Sequence, residues 1–477
     1  MGQTQVLEPV TRIEGHAKIT IELDDGGEVE DTKFHVTEYR AFEKFVEGRV
    51  LWEMPDITSR ICGICPVSHH LAAAKGCDAL VGAEIPEAAH KLRELLHMGQ
   101  VFQSHALSFF YLSSPELVLG FEADPAERNI VGVLKEEPQL ASRGVKMRSF
   151  GQRIIEALGG KRVHPDYAIP GGVNSNLGRE KGEDLLQESK ELIDPLLDTI
   201  EVLRGIYREL EDEVDRCAKF PTGYMGLVDD KGELELYDGR IRLVDEEGQL
   251  LEEVSPDSYD SIVAERSQDW SYLKFPYYRK AGFEEGIYRV GPLARLNVVE
   301  GIGTELAHRE WEEYRKLGED GILEGSLYYH YARLVEMLYN LERMVELLED
   351  EKIYSGETAV NTAPTNERGV GVIEAPRGTL IHDYGANENG VIESANFIVA
   401  TGHNNVAMNM AVNAVAKEFV DPSTNGEIPE GTLNRMESAI RCYDPCLSCS
   451  THAMGQMPLK VELRSSQGEL LDERAQS

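Results

Sequence analysis

The stretch RICGICPVSHH, residues 60–70, decides the fold of this 477-residue chain. Cys62 and Cys65 stand three positions apart, and a glycine between them allows the tight turn that aims two thiols at one point. Pro66 suits the first position of a helix, so a helix is predicted over residues 67–80 with Cys65 at its N-terminus. The positive end of the helix dipole favours a thiolate, the form of cysteine that binds metal.

A second stretch, DPCLSCSTH at residues 444–452, repeats this pattern near the other end of the chain. Its aspartate is predicted to cap a short helix that begins at the following proline. That helix would carry Cys446, Cys449 and His452 at intervals of three residues. Four thiolates suit zinc, an iron-sulfur cluster or nickel, and the spacing alone does not choose among these metals.

The two stretches together resemble the catalytic large subunit of nickel-iron hydrogenases, whose motifs read R-x-C-G-x-C-x-x-x-H and D-P-C-x-x-C-x-x-H. Residues 60–69 match the first motif and residues 444–452 match the second, both without a gap. The resemblance implies a single large-subunit domain over residues 1–477, mostly α with β additions around a central helical bundle. It also implies a nickel-iron centre with carbon monoxide and cyanide ligands on the iron.

The resemblance assigns a role to each cysteine of the two motifs. It implies that Cys62 and Cys446 bind nickel alone. It implies equally that Cys65 and Cys449 bridge nickel to iron. His69 follows Cys65 by four residues, and the resemblance places it beside the sulfur of Cys65 as a hydrogen-bond donor.

Two further family motifs supply polar groups near the metals. TRIEGH, residues 11–16, matches the N-terminal motif and implies that Glu14 is the first proton acceptor beside a nickel thiolate. EAPRGTL, residues 374–380, implies that Arg377 points its guanidinium at the outer sphere of the metals. The planar donors of arginine suit that position. Hydrogen would be split heterolytically there, because fixed polar groups steer the separating charges.

The segment AFEKFVEGRV, residues 41–50, is predicted to form a short amphipathic helix with Glu43 on its apolar side. By its position between the first two motifs, Glu43 resembles the family's carboxylate ligand to magnesium or a similar divalent ion near His452. Hard oxygen ligands suit such an ion. The alternative is a partly buried acid paired with Arg49.

Periodicity predicts most of the remaining elements. Alternating runs within residues 1–36 predict a β-hairpin, and alternation around turn residues predicts a β-rich insertion at about 224–278. Helical spacing predicts a long helix over Glu183–Lys219 that is interrupted at Pro195. Residues 396–415 are also predicted to be helical.

The sequence continues for 25 residues beyond His452, from Ala453 to Ser477. The runs on either side of SSQG predict a second hairpin in this tail. In the family, an extension of this kind is removed by a maturation endopeptidase after nickel insertion. The resemblance therefore implies that residues 453–477 are a cleaved extension and that this sequence is the precursor.

The composition excludes several classes of partner. The chain has 84 acidic and 48 basic residues, and its formal charge of -36 disfavours nucleic acids and anionic membrane surfaces. Seven cysteines in this length do not describe a disulfide framework, which fits a reducing compartment. No signal peptide and no run of about 18 apolar residues is visible, so we expect a cytoplasmic protein with no membrane span.

Electrons from hydrogen need a route out, and no further cluster of cysteines is present for an iron-sulfur relay. We therefore expect an iron-sulfur small subunit as one partner and one or more electron-acceptor subunits as further partners. The short motifs of the sequence most resemble those of the cytoplasmic, deazaflavin-non-reducing type of hydrogenase that is associated with heterodisulfide reductase. Nicotinamide and deazaflavin remain open as final acceptors.

Two alternatives come from other classes of protein. A structural zinc subunit would use the four cysteines as a closed tetrahedral site, but it leaves Glu14, Arg377 and the tail without a role. A quinone-site subunit of a respiratory complex is a relative of this fold that does not keep the metal cysteines. All four cysteines are present here, which argues against it.

Overall fold

The computed structural model describes residues 3–424, 428–451, 459–464 and 470–476, and helices predominate among them. The helices are α1 Phe42–Val46, α2 Met54–Ser59, α3 Pro66–Val81, α4 Glu87–Leu107, α5 Ser114–Leu119, α6 Ile130–Glu136, α7 Pro138–Gly159, α8 Arg179–Glu209, α9 Glu211–Arg216, α10 Pro292–Val298, α11 Glu305–Arg315, α12 Tyr329–Glu349, α13 Ala400–His403, α14 Asn405–Phe419 and α15 Glu430–Cys442. The strands are β1 Gln3–Leu7, β2 Ala17–Leu23, β3 Val29–Val36, β4 Ala168–Ile169, β5 Gly172–Val173, β6 Gly223–Val228, β7 Arg240–Val244, β8 Leu250–Val254, β9 Val263–Arg266, β10 Phe275–Tyr278, β11 Tyr288–Arg289, β12 Arg368–Ala375, β13 Gly378–Ala386, β14 Ile392–Ile398, β15 Leu459–Arg464 and β16 Leu470–Gln476.

Four long helices, α4, α7, α8 and α12, pack against one another as a central bundle. The sequence predicted an interruption at Pro195, and this prediction is wrong, because α8 runs through the proline. A proline inside a helix removes one backbone hydrogen bond and costs about 3 kcal/mol. Buried side chains on either side of it, including Leu192, Leu196 and Ile200, offset that cost by packing in the core.

An antiparallel sheet in the order β12-β13-β14 packs on helix α3. Glycine makes the close contact possible, since a Cβ at Gly371 would lie 2.0 Å from the carbonyl oxygen of Ala72 and one at Gly76 would lie 2.9 Å from the ring of Tyr384. Helix α3 begins directly after Cys65, and the β12-β13 hairpin turns at Arg377. This packing therefore brings the first cysteine motif and the EAPRGTL motif to the same place.

The N-terminal residues form an antiparallel sheet in the order β1-β2-β3, which confirms the predicted hairpin. The segment between β1 and β2 pairs with the second cysteine motif through a parallel bridge from Glu14 to Cys446. Gly15 has a φ of +95°, and a Cβ there would lie 2.7 Å from Cβ of Leu447. Only glycine gives both the backbone conformation and the space that this contact requires.

Strands β6 to β10 lie in the segment where alternation predicted a β-rich insertion. They form a sheet in the order β11-β6-β7-β8 and a separate β9-β10 pair, and β11 joins β6 in parallel. The predicted start of the helix over residues 396–415 is wrong. Residues up to Ile398 belong to β14 at the sheet edge, and helical structure begins after them. In the tail, β15 and β16 pair as an antiparallel hairpin, as the runs around SSQG predicted.

Candidate metal centre

The four cysteines of the two motifs converge on one point. The Sγ atoms of Cys62, Cys65, Cys446 and Cys449 all lie within 4.8 Å of one another, and all four side chains are buried. Two thiol ligands of a single zinc ion are at most about 4.6 Å apart, twice the usual metal-sulfur distance. The spread of the four sulfurs is close to this limit, so the donor set has the size and chemistry of a site for thiophilic metal.

The first pair of thiols is arranged by the start of helix α3. The backbone N–H groups of Ile64 and Cys65 each donate to Sγ of Cys62 at 3.2 Å. Cys65 is the N-cap residue of α3, with Pro66 at the first helical position, so the predicted helix start is confirmed. Backbone donors and a helix N-terminus both stabilise negative charge on sulfur.

The second pair of thiols lies on extended and turn backbone, so the helix predicted for DPCLSCSTH is wrong. Asp444 has a φ of +50°, and Cys446 lies in the bridge with Glu14. The backbone hydrogen bonds that a helix would make go instead to the TRIEGH segment, where Leu447 N–H donates to the carbonyl of Glu14 at 3.1 Å. Sγ of Cys446 reaches Sγ of Cys62 at 3.3 Å.

Glu14 reaches the residue between the second pair of cysteines. Its carboxylate accepts a hydrogen bond from the backbone N–H of Ser448 at 3.2 Å and another from the hydroxyl of the same residue. Ser448 lies two residues after Cys446 and directly before Cys449. The structure therefore links the Glu14 carboxylate to the loop that carries Cys446 and Cys449.

Arg377 lies beside the cysteines in the interior of the protein, with 3% of its side chain exposed. Its guanidinium forms an ion pair with Asp444 Oδ2 at 3.0 Å and donates to the carbonyl of Asp444 and, at 3.4 Å, to Ser104 Oγ. Asp444 is thus an ion-pair partner rather than the predicted helix cap. Arg377, Cys65, Cys446 and Cys449 line one small cavity.

His69 is packed behind the cysteine pair on helix α3. It lines the same small cavity as Cys65, and its Nδ1 lies 3.1 Å from Nε2 of His382. The other ring nitrogen of His382 lies 2.8 Å from the hydroxyl of Tyr384. This row of hydrogen bonds fixes the orientation of the His69 ring.

Glu43 lies away from the thiols, on α1 against β14. Its Oε1 accepts from the backbone N–H of Phe397 at 2.9 Å and lies 3.7 Å from Nζ of Lys274. Burial raises the pKa of Glu43, although the nearby ammonium group acts in the opposite direction. The ion-pair partner is Lys274, whereas the local sequence suggested Arg49. His452, the expected second ligand of the divalent ion, lies outside the described residues.

Hydrogen bonds among the four sulfurs favour a thiolate at Cys65. The neighbouring sulfurs of Cys446, Cys449 and Cys62 hold the pKa of Cys65 well below its usual value. Burial raises the pKa of Cys446 and of Cys449 well above the usual value. Burial disfavours the charged form of Arg377, but Asp444 and the cysteine sulfurs outweigh it and hold the pKa of this guanidinium well above its usual range. Arg377 therefore remains a fixed cation beside the thiols.

Sequence reasoning missed three polar residues of the site. Ser448 binds Glu14, Ser104 binds Arg377, and His382 binds His69. The first lies inside the DPCLSC motif, so its position between two cysteines was a usable signal. The other two are identified only by contacts between segments far apart in the chain.

A family model described as nickel-dependent hydrogenase matches residues 40–137 and 231–452, which include both cysteine motifs. The chain belongs to the nickel-dependent hydrogenase family. A second model, described as HoxL-like, matches residues 5–39. The protein is thus a hydrogenase, an oxidoreductase, and its cluster of four thiols fits the metal site of that family. Neither the structural zinc subunit nor the quinone-site subunit is favoured.

Two relatives support the assignment to the nickel-dependent hydrogenase family. The NAD-reducing hydrogenase HoxS subunit beta of Cupriavidus necator is 41% identical over 100% of this chain and 100% of its own length. A chain of the F420-non-reducing hydrogenase of Methanothermobacter thermautotrophicus is 42% identical over 98% of this chain and 98% of its own length. Both are therefore similar to the hydrogenase chain along its full length.

Solved structures show the same fold. An NAD+-reducing [NiFe]-hydrogenase in the H2-reduced state matches with a TM-score of 0.91 and 43% identity, covering 94% of this chain and 99% of that chain. The Ni-Fe-Se hydrogenase from D. vulgaris Hildenborough matches with a TM-score of 0.77 at 23% identity and covers 95% of this chain and 100% of its own. Within the part of the hydrogenase that the structure describes, no helix has the length and apolar character needed to span a bilayer.

Proposed function

We propose that this hydrogenase chain is the catalytic subunit that cleaves hydrogen heterolytically and reversibly into two protons and two electrons. The observation that carries the proposal is the convergence of four buried thiols beside the buried cation Arg377. When bound there, a nickel-iron group with carbon monoxide and cyanide on the iron supplies the redox chemistry of the reaction. The soft donor set suits such a group.

The four cysteines hold the metals in this proposal. Cys62 and Cys446, whose sulfurs lie 3.3 Å apart, would hold the nickel alone. Cys65 and Cys449, whose sulfurs lie 3.7 Å apart, would hold both the nickel and the iron. His69 stabilises the bridging sulfur of Cys65 with a hydrogen bond, which is supported by its fixed ring orientation.

Glu14 takes the proton in this proposal. A general base must lie within hydrogen-bond reach of the atom that gives up the proton, either directly or through one water. Ser448 connects the Glu14 carboxylate to the loop that carries Cys446 and Cys449. The carboxylate is only partly buried, so the proton can pass from Glu14 towards solvent.

Arg377 stabilises the separating charges in this proposal. Its guanidinium is fixed by Asp444 and Ser104 and lines the same cavity as Cys65, Cys446 and Cys449. A preorganised cation in a site that excludes water stabilises developing negative charge without reorganising during the reaction. Lysine would supply the charge at this position but not the planar set of donors.

The electrons leave through a partner in this proposal. Among the described residues, the four-cysteine group is the single cluster of metal-ligand side chains that includes cysteine. We therefore assign the relay to an iron-sulfur small subunit, followed by electron-acceptor subunits in the cytoplasm. The relative named as NAD-reducing is 41% identical to this chain, and the relative named as F420-non-reducing is 42% identical. Overall similarity therefore does not decide whether nicotinamide is the final electron acceptor.

Maturation completes the site in this proposal. A maturation endopeptidase removes residues 453–477 after nickel insertion, which leaves His452 as the last residue. Glu43 and His452 then bind magnesium or a similar divalent ion. The raised pKa of Glu43, caused by burial, supports a role as a ligand, because a cation would offset the cost of burying its carboxylate.

Metal analysis of the purified complex, combined with cysteine variants, tests the proposal. We expect stoichiometric nickel without stoichiometric zinc, and we expect Cys65→Ser to lose nickel and hydrogen uptake together, because serine is not a thiolate ligand. Cys77→Ser is the matched control, since Cys77 is also buried in α3 but its Sγ donates to the carbonyl of Leu51. Retained nickel and activity in Cys65→Ser would refute the site.

A further inference from the structure

A buried charge cluster lies behind the hairpin that carries Arg377. It consists of Arg295 on α10, Glu336 on α12 and Glu374 on β12, and none of the three side chains is exposed. Arg295 forms a bidentate pair with Glu336, with both nitrogen-oxygen distances at 2.6 Å, and a third bond to Glu374 Oε2 at 2.7 Å. The Arg295 cluster therefore connects the helical bundle to the sheet.

The same guanidinium binds the backbone next to Arg377. Arg295 donates to the carbonyl of Ala375 at 3.0 Å and to the carbonyl of Pro376 at 3.3 Å. With the three carboxylate bonds, these two bonds use all five N–H groups of the side chain. Ala375 and Pro376 directly precede Arg377, so one side chain on α10 binds both residues that lead into the tip of the hairpin.

The backbone of the tip is also seated on the residues that lead into α10. Gly378 has a φ of +134°, and a Cβ there would lie 2.3 Å from Cγ2 of Val290. A Cβ at Gly291 would lie 2.7 Å from the carbonyl oxygen of Arg377. The close contact leaves the tip little room to move relative to α10.

A second connection runs from the cluster to the guanidinium of Arg377. Oε2 of Glu336 lies 2.7 Å from Nε2 of His105. The neighbouring residue, Ser104, accepts the hydrogen bond from Nη1 of Arg377 at 3.4 Å. The Arg295 cluster is therefore connected to Arg377 through the backbone of the hairpin and through helix α4.

We propose that Arg295 is a positioning residue for hydrogen cleavage, which holds the hairpin tip so that Arg377 stays beside the four thiols. This inference rests on the role given to Arg377 in the proposed function. Buried ion pairs cost desolvation energy and are often no more stabilising than apolar packing of the same volume. Fixing a catalytic cation is a reason to keep such a cluster, because a displacement of about 1 Å can cost about 100-fold in rate.

The first test is Arg295→Lys in the complete, metal-loaded complex. Lysine keeps the positive charge but cannot form the five bonds, so we expect kcat to fall by about 100-fold with nickel content unchanged. A crystal structure of the variant should show Arg377 displaced by about 1 Å relative to the sulfurs. Unchanged kcat, or an unmoved Arg377, would overturn the inference.

Arg93→Lys is the matched control. Arg93 is equally buried and binds Asp78 at 2.5 Å together with the carbonyls of Ile169 and Gly172. It therefore loses a comparable set of buried bonds without any contact to the hairpin tip. We expect its kcat to stay close to that of the unmodified enzyme. An equal fall in both variants would overturn the specific role of Arg295.

A double-mutant cycle separates positioning from general support of the fold. If Arg295 acts through Arg377, Arg295→Lys adds little further loss once Arg377→Lys is present, because coupled residues are not additive. Losses that multiply would overturn the inference. If Arg295→Lys does not fold, Glu336→Gln takes its place in the cycle with the same criterion. Full activity in Arg377→Lys alone would refute the role of Arg377 in the proposed function.

Discussion

The carboxylate of Glu14 is bound by Ser448 through both its backbone N–H and its hydroxyl, although the two residues are 434 positions apart in the sequence. Ser448 belongs to the loop that presents Cys446 and Cys449. A backbone bridge from Glu14 to Cys446 holds the same two segments together. The candidate base is therefore attached to the loop that carries two of the thiols.

Replacing Glu14 with glutamine tests this attachment. We expect Glu14→Gln to keep its nickel and to slow proton-deuterium exchange by about 10²- to 10⁴-fold, because the amide cannot accept and release a proton. Ser448→Ala keeps the backbone donor and loses the hydroxyl, so we expect a smaller fall of about 10-fold. Isotope exchange measured alongside metal analysis gives both results.

Glu22→Gln is the control for this pair, since Glu22 is a partly exposed carboxylate on β2 whose side chain is 45% exposed. We expect the Glu22→Gln variant to show the same rate of proton-deuterium exchange as the unmodified enzyme. An unchanged exchange rate in Glu14→Gln would remove Glu14 from proton transfer.

A second charge network fixes the segment that precedes Glu14. The guanidinium groups of Arg12 and Arg441 both bind the carboxylate of Glu116, which is 1% exposed. Removing one partner from a buried ion network typically costs about 3–5 kcal/mol. We therefore expect Glu116→Gln to lower the denaturant midpoint of unfolding clearly. Glu351→Gln should leave it in place, because solvent screens the exposed pair of Glu351 with Arg179.

His70 makes the protein sensitive to acid. Burial lowers its pKa from 6.5 to about 4, and its Nε2 accepts a hydrogen bond from the N–H of Ala168 at 2.8 Å while Nδ1 donates to Pro55. Between pH 6.5 and about 4 the unfolded chain binds a proton here and the folded chain does not. The free energy of unfolding should therefore decrease as the pH falls across this window, by up to about 1.4 kcal/mol per pH unit.

The variant His70→Gln tests this pH dependence. Glutamine preserves a donor and an acceptor but does not titrate, so thermal unfolding between about pH 7 and about pH 5 should show a smaller loss of stability. His90 has the opposite sign, because its hydrogen bond to Asp238 raises its pKa. His90→Gln should therefore make the loss on acidification larger. A steeper loss in His70→Gln would contradict the assignment.

Mass spectrometry tests the proposed removal of the tail. We expect active enzyme to end at His452 and nickel-starved cells to accumulate chains that end at Ser477. In the proposal, removal of the tail would free His452 to bind the divalent ion together with Glu43. Active enzyme that still carries residues 453–477 would reject the cleavage and leave the cysteine ligands unaffected.

The sequence predicted the elements whose cause is local. Pro66 begins α3 because proline suits a first helical position, and the hairpin of β2 and β3 follows from alternation around a turn. DPCLSC was wrongly predicted as a helix because an Asp-Pro pair is also a typical helix start. Its real partners are the TRIEGH segment and Arg377, and local sequence does not contain those contacts.

Cys62 and Cys446 are 384 residues apart in the sequence and 3.3 Å apart in the folded chain. A growing polypeptide on the ribosome therefore holds only two of the four clustered thiols until the second motif has been synthesised. The bridge between Glu14 and Cys446 also cannot form earlier, because both segments must have been synthesised before they can pair. A metal ion held by all four thiols can therefore bind only after the second motif has been synthesised, and a chain that lacks DPCLSC would offer only the Cys62–Cys65 pair of this group.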